Sequence, residues 1–237
     1  MITQRQSDSI SSDAIETDSI KSDPIEIEQE SMVEQRGVEP IATIDDVAEE
    51  QLYRSSVYKV LAGLLRTAPD NNALEQVSAF AAIEQEGDEL ALAMSMLGLS
   101  AKASDANSVD DEFHALFIGL GRGELMPYAS WYLTGFLMEK PLSALRDELA
   151  ALGFERSENV HEPEDHIAAL CEVMAMMIDE GYALHQQANF FTTHMSNWLN
   201  HFFTDLSQAD SAIFYRSVGR FGQAFSTFEK QYLTMPV

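Results

Sequence analysis

The run His161-Glu162-Pro163-Glu164-Asp165-His166 places three carboxylates, two imidazoles and a proline in six consecutive positions. Read from propensity alone, it is the start of a helix. A proline in a first helical turn leaves the next backbone N–H groups free, and Glu162, Glu164 and Asp165 complement that positive end. An acidic cap accounts for most of the pattern but not for His166, whose imidazole can donate to a neighbouring carboxylate or to the carbonyl of a bound chain. Acids beside a hinge-like connection also suit a guanidinium, which pairs with a carboxylate through two parallel hydrogen bonds.

Other groupings with chemical potential fall short of a site. Gly119, Gly121 and Gly123 form G-x-G-x-G after a helical pattern, whereas a dinucleotide fingerprint needs G-x-G-x-x-G after a strand. There is no G-x-x-x-x-G-K-[ST]. A di-iron bundle uses Glu-x-x-His on two helices, and Asp111–His114 is a near match with Asp in place of Glu. His194 and His201, seven apart, share a helix face without an obvious carboxylate. Ser130 lacks a G-x-S-x-G elbow, and Cys171 sits on an apolar background, so neither reads as a nucleophile. No catalytic, metal or cofactor residue is assigned.

The elements that must position the 161–166 run read as helices. Asp45 and Asp46 can cap a helix with the apolar stripe Tyr53, Val57, Val60, Leu61 and Leu64, stopped by Pro69 and Asp70. Further helices are expected over 72–83 and 88–97, with a small, polar loop from Gly98 to Asn107. Asp110 is expected to cap a short helix holding Phe113, Leu116 and Phe117. The segment GLGRGELMP is a loop. A helix then runs through Trp131 and Leu133 towards Met138. Pro141 opens the next, which ends on Gly153. After a polar connection at 154–161, Pro163 opens a long helix with Ile167, Leu170, Met174, Met177 and Ile178 on one side, closed by Gly181. Phe191, Met195, Trp198 and Phe202 mark one more. Phe214, Val218, Phe221, Phe225, Phe228 and Tyr232 step by 4, 3, 4, 3, 4 through the last. No segment sustains a period of two. The fold class predicted is all-α, a bundle of about eight to ten helices.

Charge narrows the partners. The 237 residues carry 39 acids against 14 Lys and Arg, a net charge of −25. That balance argues against nucleic acid and anionic membranes as partners, and no run reaches the roughly 18 apolar residues of a membrane span. The first residues, MITQRQSDSI, have neither a basic start before an apolar run nor a twin-arginine pair, which points to a cytoplasmic address. All 22 aromatic residues lie beyond position 50. Ile10, Ile15, Ile20 and Ile25 recur every five residues, a period matching neither helix nor strand. Residues 1–43 therefore read as a disordered acidic tail and 44–237 as the helical domain.

The run EFHALFIGLGRGELMPYASWYLTGFLMEKPLSALRDELAALGF (112–154), followed by EPEDHIAALCEVMAMMI (162–178), resembles the TorD/DmsD group of redox-enzyme maturation chaperones, with the NarJ chaperones as more distant kin. Aromatic-x-x-Leu-Phe before the Gly loop, Pro-Tyr-x-Ser-x-Tyr and Glu-Pro-x-Asp-His carry the likeness. It is strong over 112–178, extends over 45–235 and leaves out the tail. The resemblance implies an all-helical protein without catalytic activity. Such a protein binds the twin-arginine signal peptide and the immature body of a molybdopterin enzyme, holding back export until the cofactor is inserted. Clients of that kind include formate dehydrogenases and S- or N-oxide reductases. Residues matching the group's peptide-binding surface are Phe113, Leu116, Phe117, Pro127, Tyr128, Ser130, Tyr132, Asp165 and His166. Phe113 stands where relatives often carry Trp, and Tyr128 where some of them do. The resemblance also implies monomers or helix-swapped homodimers, and weak GTP binding that nothing else in the sequence supports.

The residue chemistry agrees with this expectation. A leader joining a basic pair to an apolar stretch needs carboxylates beside an apolar groove. Glu162, Glu164 and Asp165 would supply the first; Phe113, Leu116, Phe117 and Tyr128 the second, with Met126, Met138, Met174, Met176 and Met177 able to adapt the groove. Two rival readings are a GTP-binding helical protein using the 119–123 loop, and an assembly factor that binds the enzyme body independently of its leader.

Overall fold

A computed structural model describes residues 2–4, 44–84, 88–157 and 160–235. They form ten α-helices: α1 (Ile44–Arg66), α2 (Asn71–Ser78), α3 (Glu89–Ala103), α4 (Ala106–Phe113), α5 (Ala129–Thr134), α6 (Lys140–Leu152), α7 (Ile167–Asp179), α8 (Leu184–His194), α9 (Leu199–Gln208) and α10 (Phe214–Thr234). A 3-10 turn at Ala79–Ala82 extends α2, and a π turn at His114–Ile118 extends α4. Two three-residue strands, β1 (Ile2–Gln4) and β2 (Phe154–Arg156), pair antiparallel. The chain is all-α, as its periodicity requires.

Helix α7 is the axis of the molecule. Ten of its thirteen residues are buried, from Ile167 to Ile178, because the segment is apolar on every face. Helix α1 lies along it, and α10 packs on α9 and α3. The 4,3,4 aromatic stripe of α10 buries Phe214, Val218, Phe221 and Phe225 and leaves Phe228 partly exposed. One polar cluster sits inside this core: Arg54, fully buried, donates from Nε to Glu229 at 2.7 Å, and Tyr58 donates to the same carboxylate at 3.0 Å.

Several boundaries depart from the sequence reading, each for a physical reason. Residues 98–103 continue α3 rather than forming a loop. Gly98 marks the place where the 3-10 turn crosses the helix: a Cβ there would lie 2.1 Å from the Ala81 nitrogen. Asp105, not Asp110, caps α4, accepting from the Ser108 N–H at 3.1 Å. The aromatic run from Phe191 to Phe202 is split between α8 and α9, and the Trp198 indole donates to the His194 carbonyl at 2.7 Å across the break. Lastly, Pro163 lies outside α7. The helix begins four residues later, with His166 as its N-cap.

Helix α5 ends earlier than expected, at left-handed Gly135. The 154–161 connection contains β2, and Ile2–Gln4, counted above with the tail, form its partner strand. The remainder of the tail, including Ile10, Ile15, Ile20 and Ile25, lies outside the described residues.

Candidate functional site

The delayed start of α7 creates the site. Residues 165–166 are held extended because they pair with the segment entering α5. The Ala129 N–H donates to the Asp165 carbonyl at 3.0 Å, and the Ile167 N–H donates to the Pro127 carbonyl at 2.9 Å, a single antiparallel bridge centred on Tyr128 and His166. Two helices thus start side by side, and each takes its cap from the Asp-His pair. Asp165 caps α5 from across the bridge: its Oδ2 accepts from the Ser130 N–H at 2.8 Å and from the Ser130 hydroxyl. His166 caps its own helix, Nδ1 accepting from the Ala168 N–H at 3.1 Å. A proline alone would have left these groups to water.

The three acids of the corner are differently engaged. Glu162 accepts from the Tyr128 hydroxyl. Glu164 faces Arg146 at 2.8 Å and Arg156 at 3.7 Å. Asp165 is 1% exposed, and its second oxygen, Oδ1, finds no hydrogen-bond partner among the described residues. A buried carboxylate oxygen without a donor is costly and uncommon, so it marks a place where a donor belongs. The His166 imidazole is held neutral: burial, and then the nearby Arg66 charge, pull its pKa down to about 3. The Tyr128 ring meets it edge-on at 5.1 Å, and the Tyr128 phenol is raised by burial and by Glu162.

Asp165 borders a cavity of about 200 Å³ whose other walls are Ala129, Leu133, Pro141, Ala144, Leu145, Thr193 and His194. The walls are mostly aliphatic. On its far side the His194 Nε2 lies 2.7 Å from a Glu148 carboxylate oxygen. Leu133, which lines the cavity, is 43% exposed, and the α5–α6 connection that follows it in sequence carries a bare apolar run: Phe136 at 68%, Leu137 at 42% and Met138 at 73% exposure. Met138 adopts a left-handed backbone, φ +59°, which non-glycine residues rarely take.

The structure brings together Pro127, Tyr128, Ser130, Glu162, Glu164, Asp165 and His166. It places the other expected residues elsewhere. Phe113 and Leu116 are buried, and Phe113 and Phe117 pack on Tyr215 at the start of α10, with ring centroids 5.9 and 5.5 Å away. Tyr132 turns to α9, 5.5 Å from Trp198 and 5.9 Å from Phe202, and donates to Asp205 at 3.0 Å. Met174 and Met177 are core. Phe113 and Leu116 are therefore packing, and the exposed apolar residue on the cavity with Asp165 is Leu133, followed in sequence by exposed Phe136, Leu137 and Met138. That surface had a signal: Phe136-Leu137-Met138 lies between Gly135, which ends a helix, and Pro141, which begins one, so no helix face can bury it.

The Gly loop answers to its own backbone. A Cβ at Gly119 would lie 2.0 Å from the Arg122 carbonyl oxygen, and one at Gly123 2.4 Å from the Phe117 carbonyl carbon, because 119–125 folds back onto the π turn. Cys171 is fully enclosed, and burial pushes its thiol pKa upward, away from reactivity.

Residues 68–204, more than half the chain, match the family model described as nitrate reductase delta subunit. The chain belongs to that family. Among its curated relatives are the chaperone protein TorD of Vibrio cholerae, 31% identical over 133 residues, which are 52% of this chain and 60% of that protein, and TorD of Vibrio parahaemolyticus, 30% identical over 134 residues, 52% and 62% respectively. A Haemophilus influenzae protein named "Probable Tat proofreading chaperone DmsD" is 27% identical over 113 residues, 47% of this chain and 55% of that one. The chain thus spans about 60% of the length of the curated relatives it matches. A crystal structure of an Archaeoglobus fulgidus protein covers 77% of this chain and 94% of its own at 17% identity and a TM-score of 0.46, a likeness that carries no inference. This delta-subunit family member resembles proteins named as chaperones. No helix among the described residues is long and apolar enough to cross a membrane.

Proposed function

We propose that this protein is a cytoplasmic chaperone, without enzymatic activity, that binds the twin-arginine leader and immature body of a molybdopterin-dependent redox enzyme and holds back export until its cofactor is inserted. The unpartnered Oδ1 of Asp165, in a residue that walls a mostly aliphatic cavity shared with the half-exposed Leu133, carries the reading; Phe136, Leu137 and Met138, exposed just past the end of α5, extend the apolar surface in sequence. A leader presents a guanidinium next to an apolar stretch, and this corner offers a carboxylate oxygen next to an apolar surface. The cavity is below the roughly 300 Å³ at which drug-sized pockets begin, so it suits one side chain, with the rest of the peptide lying outside over 133–138. Tyr128, Glu162, His166 and Ser130 shape the corner; Pro127 supplies its bridging carbonyl. The chaperone names of the relatives support the same reading. Formate dehydrogenases and S- or N-oxide reductases are the client classes proposed.

Titration calorimetry of the full chain with a synthetic twin-arginine leader tests it. Binding is expected to weaken about tenfold or more in Asp165→Asn, which keeps the shape and removes the charge, and to weaken as salt rises. Wild-type affinity in a folded Asp165→Asn protein would refute the site.

A further inference from the structure

The two-stranded sheet of this helical protein joins segments far apart in sequence. Strand β2 continues directly from the end of α6, and its Phe154 is anchored, 3% exposed and stacked on Tyr182 at 6.0 Å. Its partner comes from far away in sequence: Ile2, Thr3 and Gln4 pair with Arg156, Glu155 and Phe154. Thirty-nine residues, 5–43, lie between Gln4 and the first residue of α1. Ile2 is 4% exposed, sunk beside a recess of about 340 Å³ walled by Ala62 and Gly63 of α1 and Ala175 and Met176 of α7. The recess keeps that volume with Ile2 in place, so Ile2 fills only part of the apolar space open to it. Lys59 and Asp179, paired at 2.7 Å, form a polar rim.

These are the components of strand addition: a strand edge that recognises backbone, here paired with Ile2–Gln4, and an apolar pocket that selects alternate side chains. We propose that the β2 edge and the Ala62–Gly63–Ala175–Met176 recess bind an extended peptide segment carrying a branched aliphatic or larger apolar residue, and that Ile2–Gln4 occupy this site as a tethered internal ligand. The occupant's chemistry is read from the segment already seated there: a short β-forming stretch, one aliphatic anchor, polar residues after it. Three residues bring few backbone hydrogen bonds and one anchor, so the internal strand is replaceable. Tethering makes it a competitor that an external peptide must displace. The site lies on the α1/α7 side, built from residues other than the Asp165 corner, and does not depend on the leader reading.

The test uses the full chain and, as probe, a fluorescent peptide of residues 1–8, MITQRQSD. In Ile2→Asp the internal strand loses its anchor at the edge of the core, and circular dichroism checks that the helices stay folded. Hydrogen exchange at the amides of 154–156 is expected to accelerate in this variant and slow again when probe is added. The probe is expected to bind Ile2→Asp about tenfold more tightly than wild type. Gly63→Phe, at an exposed helical glycine where a Cβ meets nothing within 4 Å, should fill the recess and abolish probe binding in the Ile2→Asp background without unfolding the chain. Equal probe affinity for wild type and Ile2→Asp, no binding to Ile2→Asp, or binding unaffected by Gly63→Phe would each overturn the proposal. So would a wild-type dimer that Ile2→Asp converts to monomer, since the occupant would then be a second copy. Leader titrations on the same variants keep the two sites apart: Ile2→Asp should leave the Asp165 dependence unchanged.

Discussion

Asp165→Ala and Asp165→Asn should separate what this residue does for the fold from what it does for a ligand. Alanine removes the acceptor for the Ser130 N–H and hydroxyl, leaving that buried hydroxyl unsatisfied and the start of α5 uncapped. Losing an N-cap costs about 0.5–2 kcal/mol, and orphaning a buried polar group about 1–3 kcal/mol. Against this stands a gain, because the alanine no longer buries a carboxylate oxygen that lacks a donor. The net expected loss is about 2–3 kcal/mol, a fall in melting temperature of roughly 4–12 °C for a chain of this size. Asparagine keeps an acceptor facing Ser130 and puts a neutral group where Oδ1 stood, so the expected loss is about 1 kcal/mol or less. For leader binding the order changes. Both variants lack the charge, so both should lose about tenfold or more in affinity, equivalent to about 1.4 kcal/mol. Thermal unfolding by circular dichroism gives the first pair of numbers and calorimetry the second. The reasoning fails if alanine is as stable as wild type, which would mean that Asp165 does not cap α5. It fails equally if asparagine binds the leader as tightly as aspartate, which would mean that Oδ1 receives no cation.

The depressed pKa of His166 makes stability pH-dependent. Its unfolded value is about 6.5 and its folded value about 3, so the unfolded chain binds the extra proton between them, and the neutral-state stability, complete above about pH 6.5, is lost as pH falls. Urea midpoints at pH 7, 6 and 5 should fall with a slope approaching 1.4 kcal/mol per pH unit below the unfolded pKa, and His166→Asn, which can still cap α7, should flatten the contribution; an unchanged slope would contradict it. Glu229→Ala strands the Arg54 guanidinium in the core and should cost about 3–5 kcal/mol by denaturant unfolding; a loss below 1 kcal/mol would show that water reaches the pair. Glu112 accepts from the N–H groups of Ile213, Phe214 and Tyr215 at 2.7–3.0 Å, so Glu112→Ala should uncap α10 and cost about 2 kcal/mol or more, read in the same assay.

The helices were legible wherever periodicity and punctuation agreed. Pro141 and Gly153 bracket α6, and the 4,3,4 stripe gives α10. The errors share one cause: propensity was read where a tertiary contact decides. Gly98 resembles a loop residue because a glycine in a helix is normally a loss, and only the crossing 3-10 turn explains it. Pro163 resembles a first-turn proline, and only the bridge to Pro127–Ala129, 35 positions earlier, shows why the helix waits for Ile167. Asp165 and His166 were legible as a pair that matters. Their capping of two different helices was not, because α5 and α7 are distant in sequence. Phe113 and Leu116 are buried and Phe117 packs partly buried against the core, because apolar residues at helical spacing are core unless something exposes them.

With Phe113 and Leu116 buried, the exposed apolar residues that follow Asp165's partner Ser130 along the chain are those at the end of α5 and just past it. Asp165 can keep an unpaired oxygen only because Ser130 satisfies the other one and fixes the carboxylate in place, so the cap holds the acceptor ready before any ligand arrives. The same bridge that delays α7 makes α5 short, and a six-residue helix ended by Gly135 leaves Phe136, Leu137 and Met138 no face to pack on. Local structure therefore produces both features together: an oriented negative oxygen at the start of α5 and bare apolar residues just past its end. Six residues of helix rise about 9 Å, so a chain laid along α5 with its cation at Asp165 meets the apolar run two to three extended residues later. A leader in which the spacing between the basic pair and the apolar stretch is lengthened by three residues should therefore bind this protein more weakly than the natural spacing, and calorimetry with the two peptides would decide it; equal affinities would mean that the two features are not read by one peptide.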